Sequence, residues 1–123
     1  MNTMNGAVRG GLAIGAIAVA LGMVAAPAAS AATPPKTIVK GDSGHGVWCV
    51  QRAVNNYYKT YYGKTGNVIA EDAQFGTGTA DWVAWFQGRH GLSADSVVGK
   101  NTGHFVIIED GYYGNYCKSY VPH

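Results

Sequence analysis

A short pattern that occurs twice constrains the fold of this chain more than any other feature. It runs from Asp72 to Thr79 and, twenty-three residues later, from Asp95 to Thr102, with an apolar residue three positions after Asp, Gly after four and Thr after seven. Asp forms turns by accepting hydrogen bonds from nearby amides, and Gly adopts backbone conformations that other residues resist. Thr suits the first turn of a helix, whose amides lack partners. The pattern predicts two turns, each followed by a helix, in a small and internally similar domain.

The first part of the chain has the composition of a targeting segment. Arg9 precedes an apolar run, residues 12–21, and small residues follow up to Ala31. A basic start, an apolar centre and an A-x-A site are typical of a secretory signal peptide. The alternative is a retained membrane anchor, but the apolar run is shorter than the ~20 residues that a span needs. We expect a signal peptide over residues 1–31 and, after cleavage, a secreted protein with no membrane segment.

Composition limits the function classes. The formal net charge is +2, from 9 Lys and Arg against 7 Asp and Glu, which is too balanced to indicate a nucleic-acid-binding protein. The charged fraction is only 13%, while Gly and Tyr are abundant. This composition fits a compact exported domain better than a disordered segment.

The sequence contains no catalytic or metal-binding pattern, so we expect neither an enzyme nor a cofactor. The four histidines are scattered without metal-ligand spacing, and there is no G-x-S-x-G or phosphate-binding loop. Glycoside hydrolysis requires two carboxylates that face each other across a cleft. Asp81 and Asp95 are instead accounted for by a helix surface and a turn.

The two cysteines, Cys49 and Cys117, are the only pair available. In an oxidising compartment they are expected to form a disulfide. Closing the long loop between them would stabilise the fold by roughly 4 kcal/mol in the chain-entropy model. The alternative is a catalytic thiolate, for which His45 is the only local base.

Hydrophobic spacing predicts three helices after an exposed, flexible lead-in over residues 32–40. The first contains Val47, Val50 and Val54 on one face and ends near residues 56–57. The second runs from about residue 77 to residue 90, before Gly91, and the third from about 100 to 108. The predicted core residues are Phe75, Val83, Phe86, Val98, Phe105 and Val106.

Two tyrosine-rich segments flank these helices. Residues 57–67 contain four tyrosines and the helix-breaking Gly63 and Gly66, which predicts a loop between the first two helices. Its tyrosines either pack against the domain or form a displayed aromatic surface. The tail, residues 109–123, carries four more tyrosines, and a disulfide through Cys117 would tie it to the domain.

The order and spacing of these elements resemble the type-1 peptidoglycan-binding domain over residues 41–108. The matching residues are Gly41, Asp42, Ser43, Gly44, Val47, Val50, Gln51, Val54, Asp72, Phe75, Gly76, Thr79, Val83, Phe86, Gln87, Gly91, Leu92, Asp95, Val98, Gly99 and Thr102. The resemblance implies an all-α, three-helix fold that holds exported proteins on the bacterial cell wall and is not itself catalytic. The expected ligands are the glycan strand and the stem peptide of peptidoglycan.

This chain departs from the family at several positions. Ala73 and Ser96 stand where the family often has Gly, and Trp82 replaces a typically small residue. Gly78 falls in the first turn of the second helix, where it weakens the helix by up to ~1 kcal/mol. The Tyr-rich loop, the cysteine pair and the tail are additions.

Candidate ligand-binding residues cluster after the first copy of the pattern. The resemblance places a wall-facing groove at Asp72, Gln74 and Thr77, although a turn-forming role is favoured for Asp72 and remains open for Gln74. Trp85 offers a flat apolar face for a sugar, and Arg89, one turn later, can pair with a stem-peptide carboxylate. The alternative is that Trp85 lies beneath the Tyr loop or the tail. The full set of expected ligand-binding residues is Asp72, Gln74, Thr77, Asp81, Trp82, Trp85 and Arg89.

Two functions remain open at the level of sequence. The first is a secreted, non-catalytic peptidoglycan-binding protein. The second is a secreted protein–protein interaction module, in which the same scaffold displays its tyrosines to a protein partner, because Tyr is enriched at interfaces.

Overall fold

The computed structural model describes residues 35–123, so the predicted signal peptide lies outside the described residues. The described part is helical, with α1 (His45–Tyr62), α2 (Thr77–Arg89), α3 (Lys100–Asp110) and a short α4 (Gly114–Cys117). Its β pairing consists of two isolated bridges, Ile38 with Val98 and Ser43 with Gln74. The predicted all-α fold with three main helices is confirmed. No helix between residues 35 and 123 is long and apolar enough to cross a membrane.

Helix α1 is longer than its apolar spacing predicted. It follows Gly44, whose φ of 117° favours glycine, and it continues to Tyr62 before Gly63 ends it in the left-handed conformation. The predicted end near residues 56–57, and with it the predicted Tyr-rich loop from residue 57, is wrong. Tyr57 and Tyr58 each lie one turn before a second tyrosine, with ring centroids 5.8 Å and 4.9 Å apart, and these pairs continue the helix.

The core forms where α1 packs against α2 and α3. The predicted apolar faces are buried, with Val50, Val54, Val83, Phe86 and Val106 fully enclosed. Phe75 and Val98, the apolar residues of the two patterns, also lie in this core. Helix α2 begins at the predicted residue and ends at Arg89, one residue early, whereas α3 continues two residues beyond the prediction.

The segment before α1 is attached to the core, unlike the flexible lead-in expected there. Ile38 is buried and exchanges two backbone hydrogen bonds with Val98, of 3.1 and 2.9 Å. The expectation of an exposed lead-in is therefore wrong at Ile38. The reason is that the turn leaves the backbone N–H and C=O of Val98 without partners of their own, so Ile38 can pair with both.

The predicted disulfide joins Cys49 of α1 to Cys117 of α4, and both cysteines are fully buried. The tail lies close against the domain at two glycines. A Cβ at Gly103 would come 1.5 Å from the carbonyl oxygen of Pro122, and one at Gly46 would come 2.7 Å from that of Tyr120. The tail is therefore docked by backbone contact as well as by the disulfide.

Candidate functional site

Gln51 holds the first copy of the repeated pattern. Its side-chain Nε2 on α1 donates to Asp72 Oδ1 at 3.1 Å, to the carbonyl of Gln74 at 3.0 Å and to Thr79 Oγ1 at 3.0 Å. Its Oε1 accepts a 2.9 Å hydrogen bond from the Ala73 amide. Asp72 Oδ1 also accepts from the Gln74 amide, which closes the predicted turn.

Gln87 holds the second copy in the same way. Its Nε2 on α2 donates to Asp95 Oδ1 at 3.1 Å, to the carbonyl of Val97 at 2.9 Å and to Thr102 Oγ1 at 3.0 Å. Its Oε1 accepts from the Ser96 amide at 2.9 Å. Both glutamines are buried, so each pattern is a turn fastened to the preceding helix by one buried amide.

The residue after each Asp adopts a backbone conformation that favours glycine. Ala73 has a φ of 63° and Ser96 a φ of 61°, and these are the two positive values at non-glycine residues between residues 35 and 123. They coincide with the positions where the sequence departs from the family. The turn shape is therefore retained without glycine, because the glutamine oxygen fixes the amide of each residue.

A groove of about 380 Å³ lies beside the first copy, and Val68, Ile69 and Ala70 form its apolar side. We call it the polar groove after the polar side chains on its other side. Asp72 and Gln74 line it together with Thr79 and the start of α2 at Gly76 and Gly78. Thr77 stands exposed between these two glycines. The hydrogen bond from the Gln74 amide, followed by that from Gln51, lowers the pKa of Asp72, so this carboxylate stays ionised in the groove. Three of the predicted ligand-binding residues are therefore close together.

The other predicted ligand-binding residues lie along α2. Asp81 and Arg89 are exposed, whereas Trp82 and Trp85 are half-buried. Arg89 makes no ion pair within residues 35–123, and its guanidinium lies 4.2 Å from the ring centre of Tyr61. Its charge is thus available to an acidic ligand.

The two tryptophans pack into an aromatic cluster between α1 and α2. Trp85 lies 5.7 Å from Tyr57, 6.0 Å from Tyr58, 6.2 Å from Tyr62 and 5.2 Å from Trp82, as ring-centroid distances. We call Tyr57, Tyr58, Tyr61, Tyr62, Trp82 and Trp85 the α1–α2 aromatic cluster. Tyrosines partly cover Trp85, which agrees with the alternative that Trp85 lies beneath the Tyr-rich segment. The covering tyrosines belong to helix α1 and not to a loop. Tyr61 and Tyr62 are the open members of the cluster, 45% and 47% exposed.

A second cavity, of about 670 Å³, was not expected from the sequence. Its lining is mostly aromatic, and we call it the tail pocket. The residues around it are Gly44, His45, Trp48, Ala73, Tyr113 and Tyr116. No local pattern indicates it, because its aromatic walls come from the start of α1 and from the tail around α4, which are far apart in sequence.

Near the tail pocket, one guanidinium is paired with two carboxylates. The guanidinium of Arg52 lies 3.5 Å from Asp110 Oδ1 and 3.6 Å from Glu71 Oε1, and it covers the ring of Tyr113 at 4.5 Å. Asp110 is buried, and this burial raises its pKa against the opposing effect of Arg52. This group contributes to the packing of α1 against α3, and none of its three members lines the cavity.

Comparison with known proteins finds a family model that matches part of the chain. Residues 50–104 match a family model described as "Putative peptidoglycan binding domain". The match contains both copies of the pattern, the whole of α2 and the groove. No catalytic domain was detected, and no curated protein or solved structure gives a significant match.

Proposed function

Because residues 50–104 belong to the peptidoglycan-binding domain family, we propose that this protein is exported and binds the cell wall without cleaving it. The family match carries the proposal, and it supports the resemblance on which the sequence analysis rested. The confirmed disulfide is consistent with an oxidising, extracellular compartment. The predicted signal peptide supplies the route of export.

We place wall binding at the polar groove and the adjoining face of α2. Gln74 and Thr77 are exposed and offer hydrogen-bonding groups to N-acetyl and peptide amides. Asp72 contributes an ionised carboxylate whose Oδ2 makes no hydrogen bond within the described residues. Arg89 can form a charge-assisted pair with a carboxylate of the stem peptide.

Aromatic contact is the second component of the proposed binding. A sugar ring presents a C–H face that packs on an aromatic ring, and Tyr61, Tyr62 and Trp85 offer such rings beside Arg89. Individual contacts of this kind are weak. Binding to many equivalent sites along a repetitive wall would supply retention by avidity.

Sedimentation with insoluble wall tests the proposal. The purified, oxidised protein is mixed with insoluble peptidoglycan and centrifuged, and we expect most of it in the pellet at moderate salt. Arg89→Ala and Trp85→Ala should move protein to the supernatant, while Tyr112→Ala, on an exposed tail residue that lines neither cavity, should not. Recovery of the wild type in the supernatant with every wall type would rule out the proposal.

Two further measurements test export and the absence of catalysis. Mass spectrometry of protein collected from the culture medium should find a chain that begins at Ala32. A chain that keeps residues 1–31 in the membrane fraction would instead support a membrane anchor. Incubation with peptidoglycan should release no new reducing ends or free amines, and their release would contradict a purely binding role.

The exposed tyrosines favour a protein partner as the second candidate function. Tyr112 is 84% exposed, and Tyr61 and Tyr62 are nearly half exposed, as is typical of residues that form interfaces. This function predicts that the wild type stays in the supernatant with peptidoglycan and that a secreted protein co-purifies in a Tyr-dependent manner. The sedimentation experiment therefore separates the two candidates.

A further inference from the structure

The tail pocket has the chemistry of a second ligand site, separate from the polar groove. Trp48 and Tyr113 meet edge to face with ring centroids 5.2 Å apart, and Trp48 and Tyr116 do so at 6.1 Å. These rings form walls that present both faces and edges. A volume of about 670 Å³ is within the range of ordinary small-molecule sites.

The polar groups of the pocket stand on one side. Tyr116 Oη and His45 Nδ1 are 2.6 Å apart, and both residues are exposed. When the Tyr116 hydroxyl donates to Nδ1, the imidazole carries its hydrogen on Nε2 and can donate to a ligand. The pocket thus combines aromatic walls with neutral hydrogen-bonding groups.

The electrostatics of the pocket select a neutral ligand. No Lys, Arg, Asp or Glu lines it. Arg52, which lies over Tyr113 of the pocket wall, is held in ion pairs with Asp110 and Glu71. A ligand with apolar C–H faces, a hydroxylated edge and no charge is a sugar ring, and such rings pack against aromatic side chains.

The disulfide positions both walls of the pocket. Cys49 directly follows Trp48 on α1, and Cys117 directly follows Tyr116 on α4. The bond therefore fixes the distance between the two aromatic walls. Five of the six lining residues lie outside residues 50–104, so the family match does not account for the pocket.

We infer that the tail pocket is a saccharide-binding site for a neutral sugar, built by Trp48, Tyr113 and Tyr116 and completed by the docked tail. This site does not depend on the polar groove for its geometry. If the proposed wall binding is correct, the two sites hold the glycan at separate places on the domain.

The probe is the tetramer of β-1,4-linked N-acetylglucosamine, titrated into the oxidised protein. The chain has three tryptophans, and each gives a separate indole N–H signal in an NMR spectrum. Trp48 reports on the tail pocket, whereas Trp82 and Trp85 report on the α1–α2 aromatic cluster. We expect the Trp48 signal to move in a saturable way. If the corresponding glucose tetramer also moves it, that result would support binding of the same class of neutral sugar.

Tyr116→Ala should weaken the apparent affinity at Trp48 at least tenfold, and Tyr112→Ala, in the same tail, should leave it within twofold. His45→Ala is the second variant if Tyr116→Ala alters the Trp82 and Trp85 signals and hence the fold. An unmoved Trp48 signal at millimolar sugar would overturn the inference, as would equal effects of Tyr116→Ala and Tyr112→Ala. Movement confined to Trp82 and Trp85 would also overturn it, while supporting binding at the α2 face.

The outcome is distinguishable from that of the proposed function. Sedimentation with peptidoglycan and movement of the Trp48 signal are independent measurements. Wall binding without a Trp48 response would remove the second site and leave the proposed function. A Trp48 response without wall binding would remove the proposed function and leave the second site.

Discussion

The two copies of the repeated pattern are almost identical in how they are held and different in what they present. Gln51 and Gln87 make matching sets of hydrogen bonds, and corresponding distances differ by no more than 0.1 Å. The residue after the first Asp has a φ of 63° and its counterpart a φ of 61°. The shared residues are therefore structural, and each copy fastens a turn to the preceding helix.

The differences lie on the outer side of the two turns. The first copy has the exposed Gln74 where the second has Val97, and Thr77 where the second has Lys100. The first is followed by the helix that carries Trp82, Trp85 and Arg89. This contrast teaches that the repeat defines the scaffold, whereas residues that the copies do not share are the candidates for ligand binding.

The largest expected effect tests whether the two glutamines are equivalent. Gln51→Leu and Gln87→Leu keep the side-chain volume but remove the buried amide that holds each turn, and they leave the Ala73 or Ser96 amide without its hydrogen-bond acceptor. Each should lower the free energy of unfolding by about 3 kcal/mol. Chemical denaturation of the oxidised protein measures both. A loss below about 1 kcal/mol in only one variant would break the equivalence.

The next prediction tests the functional difference between the copies. Gln74→Ala should weaken retention on peptidoglycan about tenfold, the effect of losing roughly 1.4 kcal/mol of ligand hydrogen bonding. Val97→Ala, at the corresponding exposed position, should leave retention unchanged. Binding isotherms on insoluble wall provide the measurement. Equal effects of the two substitutions would contradict the assignment of binding to the first copy.

A smaller effect is expected where both copies strain the backbone. Ala73→Gly should raise the free energy of unfolding by about 0.5 kcal/mol, because relief of roughly 1 kcal/mol exceeds the added entropy of the unfolded chain. Ser96→Gly should lower it by about 0.5 kcal/mol, since Ser96 Oγ donates a 2.6 Å hydrogen bond to the Ala80 carbonyl. Thermal unfolding of both variants shows whether the signs differ.

The smallest prediction concerns acid stability of the first copy. Hydrogen bonds from the Gln74 amide and Gln51 lower the pKa of Asp72 below its ordinary value of 3.8. The stabilisation that ionised Asp72 contributes is therefore complete above its pKa in the unfolded chain. It is lost as the pH falls through its lower pKa in the folded protein. Asp72→Asn should flatten the pH dependence of unfolding below about pH 4. An unchanged acid limb would show that this carboxylate is not linked to folding.

Much of the fold could be predicted because it depends on local spacing. Val50, Val54, Val83 and Phe86 recur at helical intervals, and the disulfide followed from the pairing of the two cysteines. The predicted end of α1 is wrong because Gly63 and Gly66 break the helix only where they stand, and the tyrosines before them remain helical. The tyrosine pairs one turn apart were the signal that the helix continued as far as Gly63.

The tail pocket could not be predicted because its walls are distant in sequence. His45 and Tyr116 are 71 residues apart yet share a hydrogen bond. Nothing around either residue indicates the other, and only the docked tail brings them together. Whether Trp85 is covered could not be predicted for a related reason, because the covering rings belong to a different helix.

The disulfide also determines what becomes of the protein after proteolytic cleavage. Residues 63–67, which include Lys64, form an exposed loop between α1 and α2, and they lie between Cys49 and Cys117. A protease that cuts after Lys64 produces two fragments that remain one covalent molecule, of unchanged size on a non-reducing gel. Helix α1 and the repeated turns would stay joined, so a nicked protein in a protease-rich extracellular setting would keep both halves together.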